Sequence, residues 1–215
     1  MSLLPDLSGG TVVAEQLLFG EQFWWYVARS GGIVALVLSG ASVVWGLLLG
    51  TKYLGRAAKP KWLLDLHRFL GALTVVFTAI HMVALVLDEF VTFTLADLLI
   101  PFASEWQPAN VAWGVVSFWL LIAVQGSSML MHRIPRSWWK GIHFSSYAMF
   151  VTGLVHGLLA GTDADSPVFL LGMGGMVGLI TLLTGWRILG IRTSMAARQV
   201  EPPRTTSPID TGSWA

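Results

Sequence analysis

Five stretches of this chain are apolar over lengths that can cross a lipid bilayer. A spanning helix needs about 20 apolar residues, because each residue adds about 1.5 Å and the hydrocarbon core is about 30 Å thick. Backbone polar groups inside lipid must be satisfied within the segment, which favours helices. We therefore predict an all-α integral membrane protein, a bundle of five transmembrane helices at roughly 23–49, 62–87, 110–131, 138–161 and 167–190.

The composition agrees with a membrane protein and excludes several kinds of metal site. Hydrophobic residues make up 54% of the chain and charged residues 12%, which is unlike a soluble domain. The chain has no cysteine, so it has no disulfide, no thiolate metal site and no covalently attached c-type haem. A net charge of +1 gives no reason to expect a nucleic acid partner.

The basic residues of the predicted loops fall on alternate sides of the bundle. Cytoplasmic loops collect Lys and Arg, so this pattern predicts an outer N-terminus, a cytoplasmic C-terminus and a multi-pass protein of the cell (plasma) membrane. Helices two and four are then parallel. The residues that set this orientation are Lys52, Arg56, Lys59 and Lys61 after helix one, Arg133, Arg136 and Lys140 after helix three, and Arg192, Arg198 and Arg204 in the tail.

The segments outside the spans complete the predicted domain organisation. Residues 1–22 are an extracytoplasmic or interfacial segment, with a short surface helix expected at 11–20, and 23–190 form the transmembrane domain. The apolar stretch 91–103 is too short to span, so it is expected to be interfacial or re-entrant. Residues 193–215 are polar and rich in Pro, Thr and Ser, which predicts a disordered cytoplasmic tail.

Four histidines lie inside predicted membrane helices as two pairs, His67 with His81 and His143 with His156. Imidazole is a common ligand of haem iron, and an ionisable side chain within lipid is a functional candidate. The two histidines of each helix are separated by roughly 20 Å along the axis, so one lies near each membrane face. Parallel helices then predict an inner haem b between His67 and His143 and an outer haem b between His81 and His156.

Helical rotation fits the second histidine helix less well than the first. The 14 residues from His67 to His81 rotate the helix by about 40° less than four full turns. The 13 residues from His143 to His156 leave those two side chains about 140° apart around the helix axis. We expect a bend near Gly153 and Gly157, or differently angled haem edges, to absorb the difference. The alternative is that the four histidines only link helices through hydrogen bonds. His132, beside Arg133 in a basic loop, is not in the ligand set.

Haem propionates are anionic, so cations near each membrane face are further candidates. Arg68 and Lys140 are available at the inner face, where the bias of basic residues would also place them. Arg29 is the only one of 13 Lys and Arg residues predicted on the outer side, which suggests an outer propionate or a lipid phosphate as its partner. Asp163 and Asp165 suggest either an attraction for ferric ions or a basic protein, or a solvated loop.

The glycine-rich run from Gly172 to Gly178 has a nominal dinucleotide-binding pattern. It lies inside an apolar span and does not follow a strand, so the sequence predicts close helix packing there. No flavin or NAD domain is expected in this chain.

The segments Leu66 to His81 (LHRFLGALTVVFTAIH) and His143 to His156 (HFSSYAMFVTGLVH), with the flanking WYVARSGG and HGLLAGTDA, resemble the ferric reductase-like transmembrane domain family. This family includes the membrane parts of ferric reductases and NADPH oxidases, and the resemblance covers about residues 23–190. It implies a bis-haem b unit that passes single electrons across the membrane. Larger members also carry an amino-terminal helix and a cytoplasmic flavin and nicotinamide domain, which this sequence lacks.

The chain is also similar to the haem subunit of the periplasmic methionine sulfoxide reductase system, which lacks the complete four-histidine set. The two resemblances together imply electron transfer from a cytoplasmic flavoprotein or quinol to an extracytoplasmic protein, ferric chelate or oxygen. Whether the chain is an enzyme stays open, because it would need a separate dehydrogenase partner. The alternatives are a single-haem subunit of a methionine sulfoxide repair system and a non-redox membrane scaffold.

Overall fold

The computed structural model describes residues 22–50, 61–88 and 91–200, with side chains to residue 190. The predicted surface helix at 11–20 lies outside these residues. In the described part the chain is helical and forms no strand. Its helices are α1 (Phe23–Gly50), α2 (Lys61–Leu87), α3 (Leu95–Leu99), α4 (Pro108–Met129), α5 (Arg136–Phe144), α6 (Ser146–Leu159) and α7 (Pro167–Val200).

In the described part, five helical segments are long and apolar enough to cross a membrane, in agreement with the five predicted spans. They are α1, α2, α4, the Arg136–Leu159 segment that contains α5 and α6, and the Pro167–Gly190 part of α7. α1 packs along α2 and also contacts α6 and α7, while α4 packs against α6. Both histidine-bearing spans therefore lie against a neighbouring helix over much of their length.

The fourth span is broken at Ser145, which separates α5 from α6. The backbone N–H of Ser145 donates to the Ile142 carbonyl at 3.0 Å, and its hydroxyl donates to the same oxygen at 2.6 Å. A bond to the residue three positions back winds the chain more tightly than an α-helical turn. The break lies between His143 and His156, so it changes their relative rotation.

The expected site of this distortion was therefore wrong, because Gly153 and Gly157 lie within regular α6. These two glycines permit close packing instead. A Cβ atom on Gly153 would meet the Ser117 hydroxyl at 3.0 Å, and one on Gly157 would meet Leu36 at 3.4 Å. The absence of side chains here brings α6 close to α4 and α1.

The segment between α2 and α4 does not span the membrane. Its short helix α3 begins with a capping box, in which Thr94 and Asp97 satisfy each other's backbone N–H groups. Phe93 and Leu98 are buried against Val111 and other apolar side chains of the bundle. The segment therefore covers one end of the bundle with apolar side chains, next to the end of α2 that carries His81.

The last helix is longer than the sequence suggests, since α7 continues to Val200. Residues 193–200 are thus helical where a disordered tail was predicted, and residues 201–215 lie outside the described part. The glycine-rich run in α7 also differs from expectation. Among the described residues, no atom lies within 4 Å of a Cβ built on Gly172, Gly174, Gly175 or Gly178, so these glycines do not mediate close helix packing.

The middle of the bundle is an apolar cluster between α1, α6 and α7, which includes Leu36, Val43, Phe150 and Met173. Gly40 makes this packing possible, because a Cβ atom there would lie 2.9 Å from both Phe150 and Met176. This is closer than side-chain atoms approach one another without a shift of the neighbours.

Replacing Gly40 with Val should therefore destabilise the bundle by about 1–3 kcal/mol through overpacking. The matched control is Gly172→Val, because a Cβ at Gly172 meets nothing within 4 Å in the described part. The measurement is the thermal unfolding midpoint of each purified variant in detergent. Equal midpoints for the two variants would contradict the packing assigned to Gly40.

Candidate functional site

The four intramembrane histidines meet in two pairs, in the combination expected from their depths. The ring centres of His67 and His143 are 5.9 Å apart, with planes inclined at 75°. The ring centres of His81 and His156 are 6.4 Å apart, at 74°. We call the first pair the inner pair and the second the outer pair, and all four rings are half-buried.

These separations suit a metal ion between the rings of each pair. Metal–imidazole bonds of about 2.0–2.1 Å place the centres of two opposed imidazoles about 6.3 Å apart, once the ring radius is added. Both ring planes contain the bond axis in such an arrangement, so a large angle between them is allowed. Two rings in direct N–H···N contact would lie closer together, with centres about 5.2 Å apart.

Backbone carbonyls hold both rings of the outer pair through Nδ1. The Nδ1 atom of His81 lies 2.6 Å from the Ala28 carbonyl oxygen, and that of His156 lies 2.9 Å from the Asn110 carbonyl oxygen. A carbonyl only accepts hydrogen bonds, so Nδ1 carries the proton in each ring. The Nε2 lone pair is then free, which is the state of a histidine that ligates a metal.

Serine hydroxyls take the place of these carbonyls at the inner pair. Ser128 Oγ lies 3.5 Å from Nδ1 of His143, and its own proton is donated to the Val124 carbonyl. His143 is therefore the donor in this contact. Ser42 Oγ lies 3.4 Å from Nδ1 of His67, and either atom can donate. These contacts are longer than those of the outer pair and hence weaker.

Glycines on neighbouring helices make room for three of the four rings. A Cβ atom on Gly32 would lie 3.0 Å from His81 Nδ1, one on Gly46 3.2 Å from His67 Cε1, and one on Gly114 2.9 Å from His156. The sequence analysis missed these residues, although a signal was present. Gly32 and Gly46 are separated by the same 14 residues as His81 and His67 on the antiparallel partner helix.

An apolar cavity surrounds the outer pair and extends both toward the end of the bundle and inward to Ser39 and Thr74. Its lining includes both rings of this pair, Leu36 of α1, apolar side chains of residues 91–107 and residues of the loop after α6. Arg29 and Asp163 also line it. A mostly apolar cavity with a few polar groups at one side is typical of a cofactor site.

Arg29 has a different partner from those expected. Its guanidinium donates two hydrogen bonds to the Asp163 carboxylate, through Nε and Nη2. This ion pair joins α1 to the loop after α6, and it holds the pKa of Asp163 below its usual range. A role for Arg29 toward an outer propionate stays a prediction, and Asp163 is not a free carboxylate of a solvated loop.

The two inner cations are exposed at the surface of the bundle. Arg68 is exposed and lies 3.7 Å from Asp65 on the same helix face, and Lys140 is exposed on α5. His132 is exposed in the turn after α4, in line with its exclusion from the ligand set. Trp139 is another residue that the sequence analysis missed. Its indole stacks on His143 with ring centres 5.0 Å apart and planes at 20°.

The residues present therefore fit a haem iron at each level. Each pair places two imidazole rings at a separation close to that of two imidazoles bound to one iron, and the Nδ1 partners orient the rings. Among the described residues, no group of three or more His, Cys, Asp or Glu side chains gathers for a metal ion. No family model, curated protein or solved structure matches the chain.

Replacing Gly114 with Val should displace the His156 ring and remove the haem expected at the outer pair. The reason is that a Cβ atom at this position would lie 2.9 Å from the ring. Gly126→Val on the same helix is the control, because a Cβ there meets nothing within 4 Å in the described part. Pyridine-haemochrome analysis should give one haem fewer for Gly114→Val only. An unchanged haem content would refute the close approach.

Replacing Asp163 with Asn should lower the unfolding midpoint at pH 7, whereas Asp165→Asn, at an exposed position of the same loop, should leave it unchanged. The lowered pKa of Asp163 means that its contribution is complete above the unfolded-state pKa of about 3.9 and is lost as the pH falls through the lower folded-state value. The difference between wild type and Asp163→Asn should therefore shrink at pH 3. A difference that persists at pH 3 would contradict the ion pair.

Proposed function

We propose that this protein is a bis-haem b cytochrome of the cell membrane that transfers electrons between a cytoplasmic donor and an extracytoplasmic acceptor. His67 and His143 would hold the iron of the inner haem, and His81 and His156 that of the outer haem. Haem iron supplies reversible one-electron chemistry between its ferric and ferrous states. The protein's own contribution is ligation, orientation and insulation.

The observation that carries the proposal is the repetition of one ligand geometry at two depths. Two pairs of opposed imidazoles, 5.9 Å and 6.4 Å between centres, lie 14 residues apart along α2. This spacing corresponds to about 21 Å of helix, most of the thickness of the hydrocarbon core. Histidines that served only to link helices would have no reason to stand opposite one another at both levels.

The residues between the inner and the outer pair also suit electron transfer. Leu36, Val43 and Phe150 are buried in the middle of the bundle, and Thr74 of α2 donates its hydroxyl proton to the Leu70 carbonyl of its own helix. An apolar interior excludes water and ions, so protons do not accompany the electron through the middle of the membrane. Charge crosses only by passing from one metal site to the other.

The proposed direction follows from the distribution of basic residues, which favours an outer N-terminus and a cytoplasmic C-terminus. With this orientation the inner pair faces the cytoplasm and accepts electrons from a flavoprotein or from quinol. The outer pair delivers them to an exported protein, a ferric chelate or oxygen. The chain is then an oxidoreductase component that depends on a separate dehydrogenase.

A single-haem protein of the methionine sulfoxide reductase type is the second candidate function. The difference between the two levels favours it, because carbonyls hold the outer rings at 2.6 Å and 2.9 Å while serines approach the inner rings only to 3.4 Å and 3.5 Å. In that case the outer pair holds the haem and the inner histidines serve packing.

The test is a reduced-minus-oxidised spectrum of the purified protein together with its haem content. We expect two b haems per chain in the wild type, one in His143→Ala and one in His81→Ala, because each variant loses one axial ligand. His132→Ala is the matched control and should keep both. One haem in the wild type that survives His143→Ala would establish the single-haem alternative, and no haem would refute both candidates.

A further inference from the structure

Two buried side-chain atoms in the described part of the protein have no hydrogen-bond partner, Asp88 Oδ1 and Trp139 Nε1. Asp88 adjoins residues 89–90, which lie outside the described part, so its surroundings are incomplete. Every residue of α5, in which Trp139 lies, is described. A buried N–H without an acceptor is energetically unfavourable, so Trp139 Nε1 calls for an acceptor that the described residues do not provide.

Trp139 lies one helical turn before His143, about 6 Å closer to the end of the bundle that carries the basic residues. Its ring is stacked on the imidazole, so its N–H lies beside the inner pair and not on the outer surface of the bundle. The neighbouring Trp138 behaves differently, because 72% of it is exposed. Exposed tryptophans are expected at a membrane interface, but the half-buried Trp139, whose N–H is buried and unpaired, is not.

The ligand proposed for this site brings acceptors of the required kind. A haem b carries two propionate carboxylates on one edge, and a carboxylate accepts a hydrogen bond strongly from an N–H donor. The cations expected from the sequence in this role, Arg68 and Lys140, are exposed, and Arg68 lies 3.7 Å from Asp65. The buried donor at the inner pair is therefore neutral.

From these observations we infer that Trp139 is a ligand-binding residue of the inner site. Its indole N–H donates a hydrogen bond to a propionate carboxylate of the porphyrin held between His67 and His143, and its ring fixes the plane of the His143 imidazole. The inference rests on the proposed function, because it requires a haem at the inner pair. Trp139 would bind the carboxylate through a neutral, buried N–H donor and not through a positive charge.

The test compares three variants of the full-length protein in detergent, Trp139→Phe, Trp139→Leu and the matched control Trp138→Phe. Each is loaded with iron protoporphyrin IX, and the rate of haem transfer to excess apomyoglobin is measured. Trp139→Phe keeps the stacked ring and removes the donor, so one of the two release phases should become about ten- to a hundredfold faster. The other phase and both phases of Trp138→Phe should be unchanged.

The reduction potential provides a readout that a purely structural role would not move. Without the N–H donor the propionate keeps more of its negative charge near the iron and stabilises the ferric state, so the inner haem of Trp139→Phe should have a lower potential. Trp139→Leu removes the stacking as well. Its low-spin electron paramagnetic resonance signal should shift, because the imidazole plane of His143 is no longer held, whereas Trp139→Phe should keep the wild-type signal.

The outcomes separate this inference from the proposed function. If the wild type holds two haems and Trp139→Phe releases both at wild-type rates, the inference is wrong and the proposed function stands. If the wild type holds no haem at the inner pair, both are wrong. If Trp139→Phe does not fold, the wild type is loaded with the dimethyl ester of iron protoporphyrin IX, whose propionates are blocked. The ester should leave the inner site faster than the free acid, and equal rates would overturn the inference.

Discussion

An imidazole N–H placed inside a bilayer must find its acceptor within the protein, because hydrocarbon offers none. This requirement explains much of the arrangement around α2 and α6. Ala28 and Asn110 present backbone carbonyls to the outer rings, and Ser42 and Ser128 present hydroxyls to the inner ones. A histidine side chain can reach a backbone carbonyl of a neighbouring helix only when the two helices pack closely. The glycines at the contacts allow this close packing.

The hydrogen bonds to Nδ1 are shorter at the outer pair than at the inner pair, and this difference affects how strongly each histidine would donate electrons to a metal. A histidine that donates to a carbonyl becomes a more basic ligand and stabilises the higher oxidation state of its metal. The outer pair has two such bonds, whereas the inner pair has longer contacts to hydroxyl groups. The two pairs thus share the same residue type but are not equivalent, and in the proposed cytochrome they would give the two haems different environments.

The number of spans and the pairing of the rings could be predicted from the sequence because they depend on length, depth and polarity. Apolar stretches of sufficient length identify spans whatever their contacts, and parallel helices place residues of equal depth side by side. The break at Ser145 could not be predicted, since a serine in a membrane helix commonly bonds its own backbone without interrupting the helix. The partner of Arg29 was also missed, because the charge bias identified an unusual cation but not the residue that the loop after α6 brings to it. The stacked indole of Trp139 had no distinguishing signal beside Trp138, as only the fold decides which of two adjacent tryptophans faces inward.

The pairing of α1 with α2 has a consequence for how this protein can change in length. Ala28 and Gly32 contact His81, and Ser42 and Gly46 contact His67, so a pair of contacts four positions apart occurs twice on α1, with an interval of 14 residues. Inserting or deleting one residue between the two pairs of contacts would rotate one of them by about 100° away from its histidine while the other stayed in place. The spacing between the two sets of contacts on α1 must therefore stay equal to the spacing between His67 and His81 on α2. Point substitutions can adjust each site separately, but the distance between the sites can change only through matched insertions in α1, α2, α4 and the fourth span at once.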